Sequence, residues 1–308
     1  PNVVEAPAAA TTFVRSVEVL GSSTSPDAGF TPLAAATLTA HAKRGEVTEL
    51  PIVDARPVRW LRVRLSGGLD LRAGESTIEF TELIGNGTQE ATPLVYRFRG
   101  EWTGAPAISL RQQGAVVSGC FDTAGELSGT VTGSVLRAIG GTRTDRTRSV
   151  FILSVATDGT LRGVRATGSG GFRPFRASKA MPGLPARCTP APVRLSCGAT
   201  VHAIGFAPGT ASLLVDSSAV ITALAEGLSA DPARSVTIEA HLAAGDGAGA
   251  DALALSQQRA QAVAADLVSR GVPQERLRAV GAGASRPLVA GDDENVRAIN
   301  RRFEIRCP

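Results

Sequence analysis

The sequence predicts a multidomain, β-rich chain: a β-sandwich, then a small antiparallel β-barrel, then a C-terminal α/β domain with a mixed sheet and two main helices. Three observations predict it. The chain has 308 residues, enough for two or three domains each with its own core. Its 43% hydrophobic and 19% charged residues mark folded protein throughout, and Gly 34 with Pro 18 supply many turns. Short alternating runs fill residues 1–180, whereas after residue 197 strand-like runs alternate with helical periodicity.

Residues 1–90 form the first expected domain. TFVRSVEVL (Thr12 to Leu20) and VRWLRVRLSG (Val58 to Gly67) alternate, and STIEFTELIGNG (Ser76 to Gly87) ends in an Asn-Gly turn. In the second run Val58, Trp60, Arg62 and Arg64 fall on one face, and Leu61, Val63 and Leu65 on the other. WLRVRL followed by IEFTELIGNG resembles the end of a discoidin-type jelly roll. That family binds through loops at one end, and no site residue is carried over from it.

Residues 94–180 have another rhythm. FRGEW, SLRQQGAVVSGCFD, GELSGTVTGSVL, SVFILSVATDGTLRGV and GFRPF follow one another with Gly at nearly every turn. Such a meander closes most economically as an up-and-down barrel. It resembles lipocalin- or avidin-like barrels, with Trp102 closing one end. Barrels of this size hold a small ligand or are filled by side chains, and the scarcity of aromatics favours the filled interior. Residues 181–196, part of the proline-rich AMPGLPARCTPAPVRLS (Ala180 to Ser196), read as a semi-rigid linker.

Residues 197–308 are the third expected domain. ATVHAIGF (Ala199 to Phe206), SVTIEAHL (Ser235 to Leu242), RLRAVGAG (Arg276 to Gly283) and NRRFEIRC (Asn300 to Cys307) read as strands. Ser217 to Leu228 reads as a helix with Asp216 or Ser217 at its N-cap, and a long helix runs from about 252 to 270 with Gly271 at C′. On that long helix Leu253, Ser256, Ala260, Val263, Ala264 and Leu267 share a face.

Composition excludes several functions. The net charge is +4, and Lys43 and Lys179 are the only lysines among basic residues that are otherwise scattered arginines. This reads as the codon bias of a GC-rich genome and not as a nucleic-acid surface, which needs a basic stripe with stacking aromatics. No apolar run approaches the ~20 residues that span a bilayer. The chain opens at Pro1, so a removed signal peptide is expected. Cys120, Cys188, Cys197 and Cys307 match no zinc spacing. If the first and last strands of the third domain are antiparallel neighbours, Cys197 meets Cys307, leaving Cys120 to Cys188. Disulfides would place the protein in an oxidising compartment; four buried free thiols are the other reading.

The third domain carries the chemistry. GFAPGTASL, VTIEAH, the LSxxRA pattern of Leu255 to Ala260, VGAGASRP and AINRR together resemble the OmpA-like peptidoglycan-binding domain over nearly all of 197–308. That resemblance implies a pocket for the diaminopimelate residue of the peptidoglycan stem peptide, with Arg259 and Arg301 gripping a carboxylate. The guanidinium fork suits that task, and a place in the first half of the long helix adds a favourable dipole. Arg302 joins these two near the domain edge. The sequence departs from the family's GHTD-type segment. It has EAHLAAGDGAGAD, with Ala243 or Ala244 where an aspartate takes the ligand ammonium, so Asp246 is the expected substitute and Asp251 a poorer candidate. Ala252 replaces an expected asparagine, and the loop after the first strand offers Thr210 and Ser212. Surface ion pairs of Arg259 and Arg301 with Asp251 or Glu294 are the plain alternative.

The resemblance implies a non-catalytic envelope protein of a Gram-negative periplasm, held at the outer membrane or cell wall, whose two β domains meet another glycan or protein partner. The alternative is a periplasmic glycan- or small-ligand-binding protein with a degenerate OmpA-like scaffold. No cofactor or metal is expected. Gly245, Gly247 and Ala250 mimic a dinucleotide fingerprint, but Asp246 would sit in the phosphate cradle. There is no G-x-S-x-G, and His41, His202 and His241 stand isolated. His241 is expected to support the pocket loop, and His202 to be a satisfied core or edge residue.

Overall fold

The computed structural model describes residues 14–24, 28–39, 48–66, 87–88, 90–95, 97–122, 125–142, 147–181, 194–230, 235–246 and 249–308. They fall into two compact units, Pro1–Thr88 and Gln89–Pro308.

In the first unit, β1 (Ser16–Ser22) lies between β2 (Thr31–Thr37) and β3 (Trp60–Ser66), all antiparallel. Val17 and Val19 pair with Leu65 and Val63 and join Val14, Leu33, Ala34, Leu38 and Leu50 in the core. On the other face Glu18 and Arg64 stand in register and form an ion pair at 3.0 Å. The expected face of β3 fails at one end. Leu61 sits opposite Gly21 and is 59% exposed, while Val58 folds over Gly21 and packs against the core. A jelly roll needs a second facing sheet. The described residues supply one sheet, and residues 76–86 of STIEFTELIGNG and His41 lie outside them.

The second unit opens with eight strands: β4 (Gly100–Gly104), β5 (Ile108–Gln113), β6 (Val116–Phe121), β7 (Gly125–Thr132), β8 (Val135–Thr142), β9 (Arg148–Val155), β10 (Leu161–Thr167) and β11 (Arg173–Lys179). Each pairs antiparallel with the next, and β11 closes on β4, so the expected up-and-down barrel is present. Side chains fill its interior. Trp102, Ile108, Phe121, Leu136, Phe151, Leu153, Leu161 and Phe175 are buried there, and Phe151 meets Phe121 and Phe175 edge-on at 5.2 and 6.1 Å. Trp102 Nε1 donates to the Gly159 carbonyl at 2.9 Å, so the indole is satisfied as it plugs its end. The barrel can be this narrow because Gly119 and Gly129 lie against neighbouring strands. A Cβ there would come within 2.3 and 2.2 Å of the Ser109 and Arg137 carbonyl oxygens.

The chain then builds β12 (Thr200–Val201), α1 (Ser218–Ser229), β13 (Val236–His241), α2 (Gly249–Ser269), β14 (Leu277–Gly283), α3 (Glu294–Asn300) and β15 (Arg302–Arg306). The sheet order is β12-β15-β13-β14, with β13–β14 parallel and the other pairs antiparallel, so the sheet is mixed as expected. Val220, Ile221, Leu224 and Leu228 of α1 and Ala260, Val263 and Leu267 of α2 pack on Val236, Ile238 and Ala240. The buried stripe of α2 begins at Ala252; Leu253 is 52% exposed, against expectation. Small residues in VGAG let α2 lie close to β14. A Cβ on Gly281 would come within 2.3 Å of the Gln257 backbone nitrogen, and Gln257 bonds Ala279 O and Gly281 N across the gap. Gly271 ends α2 at φ +92°, the left-handed C′ position. Ser217 stands at the α1 N-cap without capping it: its hydroxyl bonds Gly205, while Asp216 accepts from Thr92.

Those contacts belong to a broad seam between the barrel and the α/β domain. The Thr130 and Thr132 hydroxyls donate to the His202 and Ala203 carbonyls at 2.8 and 3.2 Å. Val150, with Ile152 and Phe172, packs against Val289, Val296 and Ile299. The expected linker lies mostly outside the described residues, though Leu195 at its end is buried in the α/β core. His202 is 1% exposed in this seam, the core residue expected, with its ring against the backbone of Arg301. Burial pushes its pKa down to about 3, with the charges of Arg137 and Arg302 adding to the effect.

Cys197 and Cys307 are disulfide-bonded with Cα atoms 5.5 Å apart, at the outer ends of β12 and β15. Cys120 is also disulfide-bonded; the expected partner, Cys188, lies outside the described residues. Cys197 and Cys307 enclose a separation of 110 residues, so replacing both by Ser should cost roughly 2–5 kcal/mol, read as a lowered denaturant midpoint under non-reducing conditions. His202 titrates far below its ordinary 6.5 when folded, so the unfolded chain takes up a proton that the folded chain refuses. Stability should therefore fall as pH drops from about 6.5 towards 3. Urea midpoints measured between pH 7 and pH 4 should show a slope that His202→Phe reduces.

Candidate functional site

The site lies where α2, the β12–α1 connection, the segment after β13 and the end of α3 meet. Beyond Val201 the chain turns away from the sheet. Phe206 bridges back to Leu213, and Thr210 tops the tight loop between them, its hydroxyl donating to Ala207 O at 3.0 Å and accepting from Ser212 N at 3.1 Å. Thr210 and Ser212 are exposed.

Arg259 projects from α2 onto this loop. Its Nε donates to Thr210 O at 2.9 Å, and its guanidinium carbon lies 4.8 Å from the centre of the Phe206 ring. Among the described residues no carboxylate forms an ion pair with it. Burial lowers its pKa from the ordinary value, while Asp246 acts against that shift and Arg301 with it. Four of its five N–H donors therefore stay open to a ligand. One expectation needs correction: α2 begins at Gly249, so Arg259 is in mid-helix and not near the N-terminus. Helix-end charge fades within the first turn and gives it little help.

Arg301 is the C-cap residue of α3, not part of a strand as expected. Its Nε and Nη2 donate to Asp246 Oδ2 and Oδ1 at 2.9 and 2.7 Å, and its Nη1 donates to Glu294 at 2.9 Å. Asp246 also accepts from Arg297 Nη2 at 3.1 Å and from the Ala243 N–H at 3.0 Å. These four bonds use the roughly four acceptor sites of a carboxylate. Burial would raise the Asp246 pKa, but the bonds from Arg301 and Ala243, the Arg301 charge and the Arg297 bond outweigh it, and the net shift is downward. Asp246 is thus ionised and fully engaged inside the protein. Of the two partners anticipated for Arg301, Glu294 is present on the exposed side. Asp251, at the start of α2, is exposed.

Arg302 plays a different part. It is 3% exposed, and its side chain donates to Glu304, Asn300 O and Arg286 O. It belongs to a cluster on the sheet face opposite α1 and α2, in which Glu239, His241 and Glu304 bring possible ligand atoms within 4.8 Å of one another. His241 Nε2 lies 2.7 Å from Glu239 Oε1. Arg286, Arg302 and Arg306 already neutralise both carboxylates, so a cation would have to displace guanidiniums. Burial would raise the Glu304 pKa, but Arg306 and Arg302 hold it down at about 2. Arg297, whose hydrogen bond locks Asp246, escaped the sequence reading. Its position four residues before Arg301 was the available signal.

Residues 205–301 match the model of the OmpA family. The peptidoglycan-binding protein ArfA of Mycobacterium tuberculosis is 35% identical over 130 residues, covering 41% of this chain and 39% of that protein. The peptidoglycan-associated lipoprotein of Rhizobium meliloti is 36% identical over 99 residues, covering 32% of this chain and 56% of that protein. This chain therefore spans between about two fifths and just over half of the length of these curated relatives. Among solved structures, the peptidoglycan-associated lipoprotein from Burkholderia pseudomallei aligns over 34% of this chain and 88% of its own, at 30% identity and a TM-score of 0.32. The C-terminal third of this chain, over residues 205–301, is an OmpA family domain.

Proposed function

We propose that the C-terminal domain binds peptidoglycan noncovalently through a carboxylate of the stem peptide, diaminopimelate being the expected residue. The observation that carries this reading is the state of Arg259: a half-buried guanidinium, aligned by Phe206 and Thr210 O, without an ion-pair partner among the described residues. A cation fixed in this way is set to take a carboxylate through two parallel bonds. Arg301 can add a further donor once the ligand displaces Glu294, whose side chain is 73% exposed and whose surface pair is worth at most about 1 kcal/mol. Asp246 was expected to take the ligand ammonium. With its acceptor sites filled, it serves instead as the strut that orients Arg301. Thr210 holds Arg259 through its carbonyl, and its hydroxyl and that of Ser212 line the rim.

Its similarity to peptidoglycan-binding and peptidoglycan-associated proteins supports a wall-binding role, and the Cys197–Cys307 disulfide suits an oxidising compartment such as the periplasm. The relatives come from Mycobacterium as well as Rhizobium, so the setting is a bacterial cell envelope, of which the Gram-negative outer membrane is one form. In this reading the protein is non-catalytic, and the barrel and the N-terminal β unit, a sandwich or jelly roll in its fuller form, are left for another partner.

Co-sedimentation with purified sacculi tests the proposal. Arg259→Gln should lower affinity tenfold or more, with a denaturant midpoint close to that of the parent. Asp246→Asn should lower both affinity and stability, the latter by roughly 1–3 kcal/mol, because it loosens the Arg301 fork. Unchanged sedimentation of Arg259→Gln would remove the basis of the proposal.

A further inference from the structure

One mouth of the barrel holds two arginines that the fold leaves facing each other. Arg165 on β10 and Arg173 on β11 are direct cross-strand partners. Strand alternation puts them on the same side as Leu161, Phe175 and Ala177, the side that fills the barrel interior. Like charges directly opposite each other on a sheet are destabilising, so this pairing asks for an explanation.

The surroundings of Arg165 supply one. Its guanidinium carbon lies 5.2 and 5.3 Å from the centres of the Phe121 and Phe151 rings. Nη2 donates to the Ser149 hydroxyl at 3.0 Å, but Nε is buried and has no hydrogen-bond partner. Burial lowers its pKa from the ordinary value, and Asp122 is the carboxylate whose charge offsets this. No ion pair links Arg165 or Arg173 to a carboxylate among the described residues. Beside Arg165 lies a cavity of about 300 Å³ whose lining includes Ala105, Thr167, Arg173, Phe175 and the Gly170–Gly171 turn. That is the lower end of the range for small-molecule sites.

We infer that this mouth binds a small organic carboxylate with an apolar body. The carboxylate would bridge Arg165 and Arg173, and the apolar part would lie on Phe175 in the cavity. The bridging charge would relieve the cross-strand repulsion and neutralise a partly buried guanidinium with which no carboxylate pairs among the described residues. The two glycines keep the rim open, since neither carries a side chain over the cavity. This site is separate from the Arg259 site and stands or falls independently of it.

The test uses the full chain, with benzoate as probe and benzamide, acetate and inorganic phosphate as comparisons, followed by calorimetry and amide NMR. Benzoate should bind saturably at one site and shift the amides of Gly170, Gly171, Arg173 and Phe175. Neutral benzamide and the body-less acetate and phosphate should bind at least tenfold more weakly. Arg173→Gln, at an exposed position, should weaken benzoate tenfold or more, and Arg165→Gln should do the same if it folds. Benzoate binding that does not saturate, equal binding of benzamide or phosphate, indifference to Arg173→Gln, or shifts confined to 206–212 and Arg259 would each overturn the inference.

Discussion

The candidate site depends on the fork between Asp246 and Arg301. Asp246 follows β13, and Arg301 joins α3 to β15, so two elements separated by 55 residues are tied by two parallel charged bonds. Arg297 and the Ala243 N–H close the remaining acceptor positions. The Asp246 side chain is only 10% exposed, and in that setting an ion pair is tolerable only when its hydrogen bonds are complete. They are complete here. The consequence is chemical: Asp246 has no acceptor left to give a ligand, Arg301 has part of its fork left, and Arg259 has most of its own.

Packing puts Arg259 where this matters. The glycine at 281 lets α2 settle on β14, and the buried stripe from Ser256 through Leu267 fixes the rotation of the helix. Position 259 then emerges beside the Phe206–Leu213 loop. That loop is held in turn by the barrel, because the carbonyls of His202 and Ala203 accept hydrogen bonds from Thr130 and Thr132. The barrel is thus a wall of the same compact unit, and its filled interior makes it a stiff one.

Much of this was legible in the sequence. Three of the four expected strand segments and the two long helices of the C-terminal domain stand where periodicity put them, and the glycine-punctuated meander closes as a barrel. The failures have physical causes. ATVHAIGF shrinks to the two-residue β12, since Ala203 adopts φ +68° and the neighbouring carbonyls turn to the barrel. The helix α3 was missed because seven residues give too few turns for a periodic signal, though Asp293, which caps Asn295 and Val296, was a usable mark. Arg301 was placed on a strand for the same reason. Leu253 matched the helical spacing but lies at the edge of the buried stripe, where Ala252 takes the contact.

What the sequence alone determined is the set of local periods, the turn glycines and the LSxxRA and NRR signatures, because these are properties of neighbouring residues and repeat on the scale of one helical turn or one pleat. Only the tertiary structure decided that Asp246 spends its charge on Arg301 and Arg297, that Arg259 remains open, and that Arg165 and Arg173 confront each other at a barrel mouth. Which charge meets which depends on distances between residues far apart in the chain, and those are set by how helices, sheet and barrel close on one another.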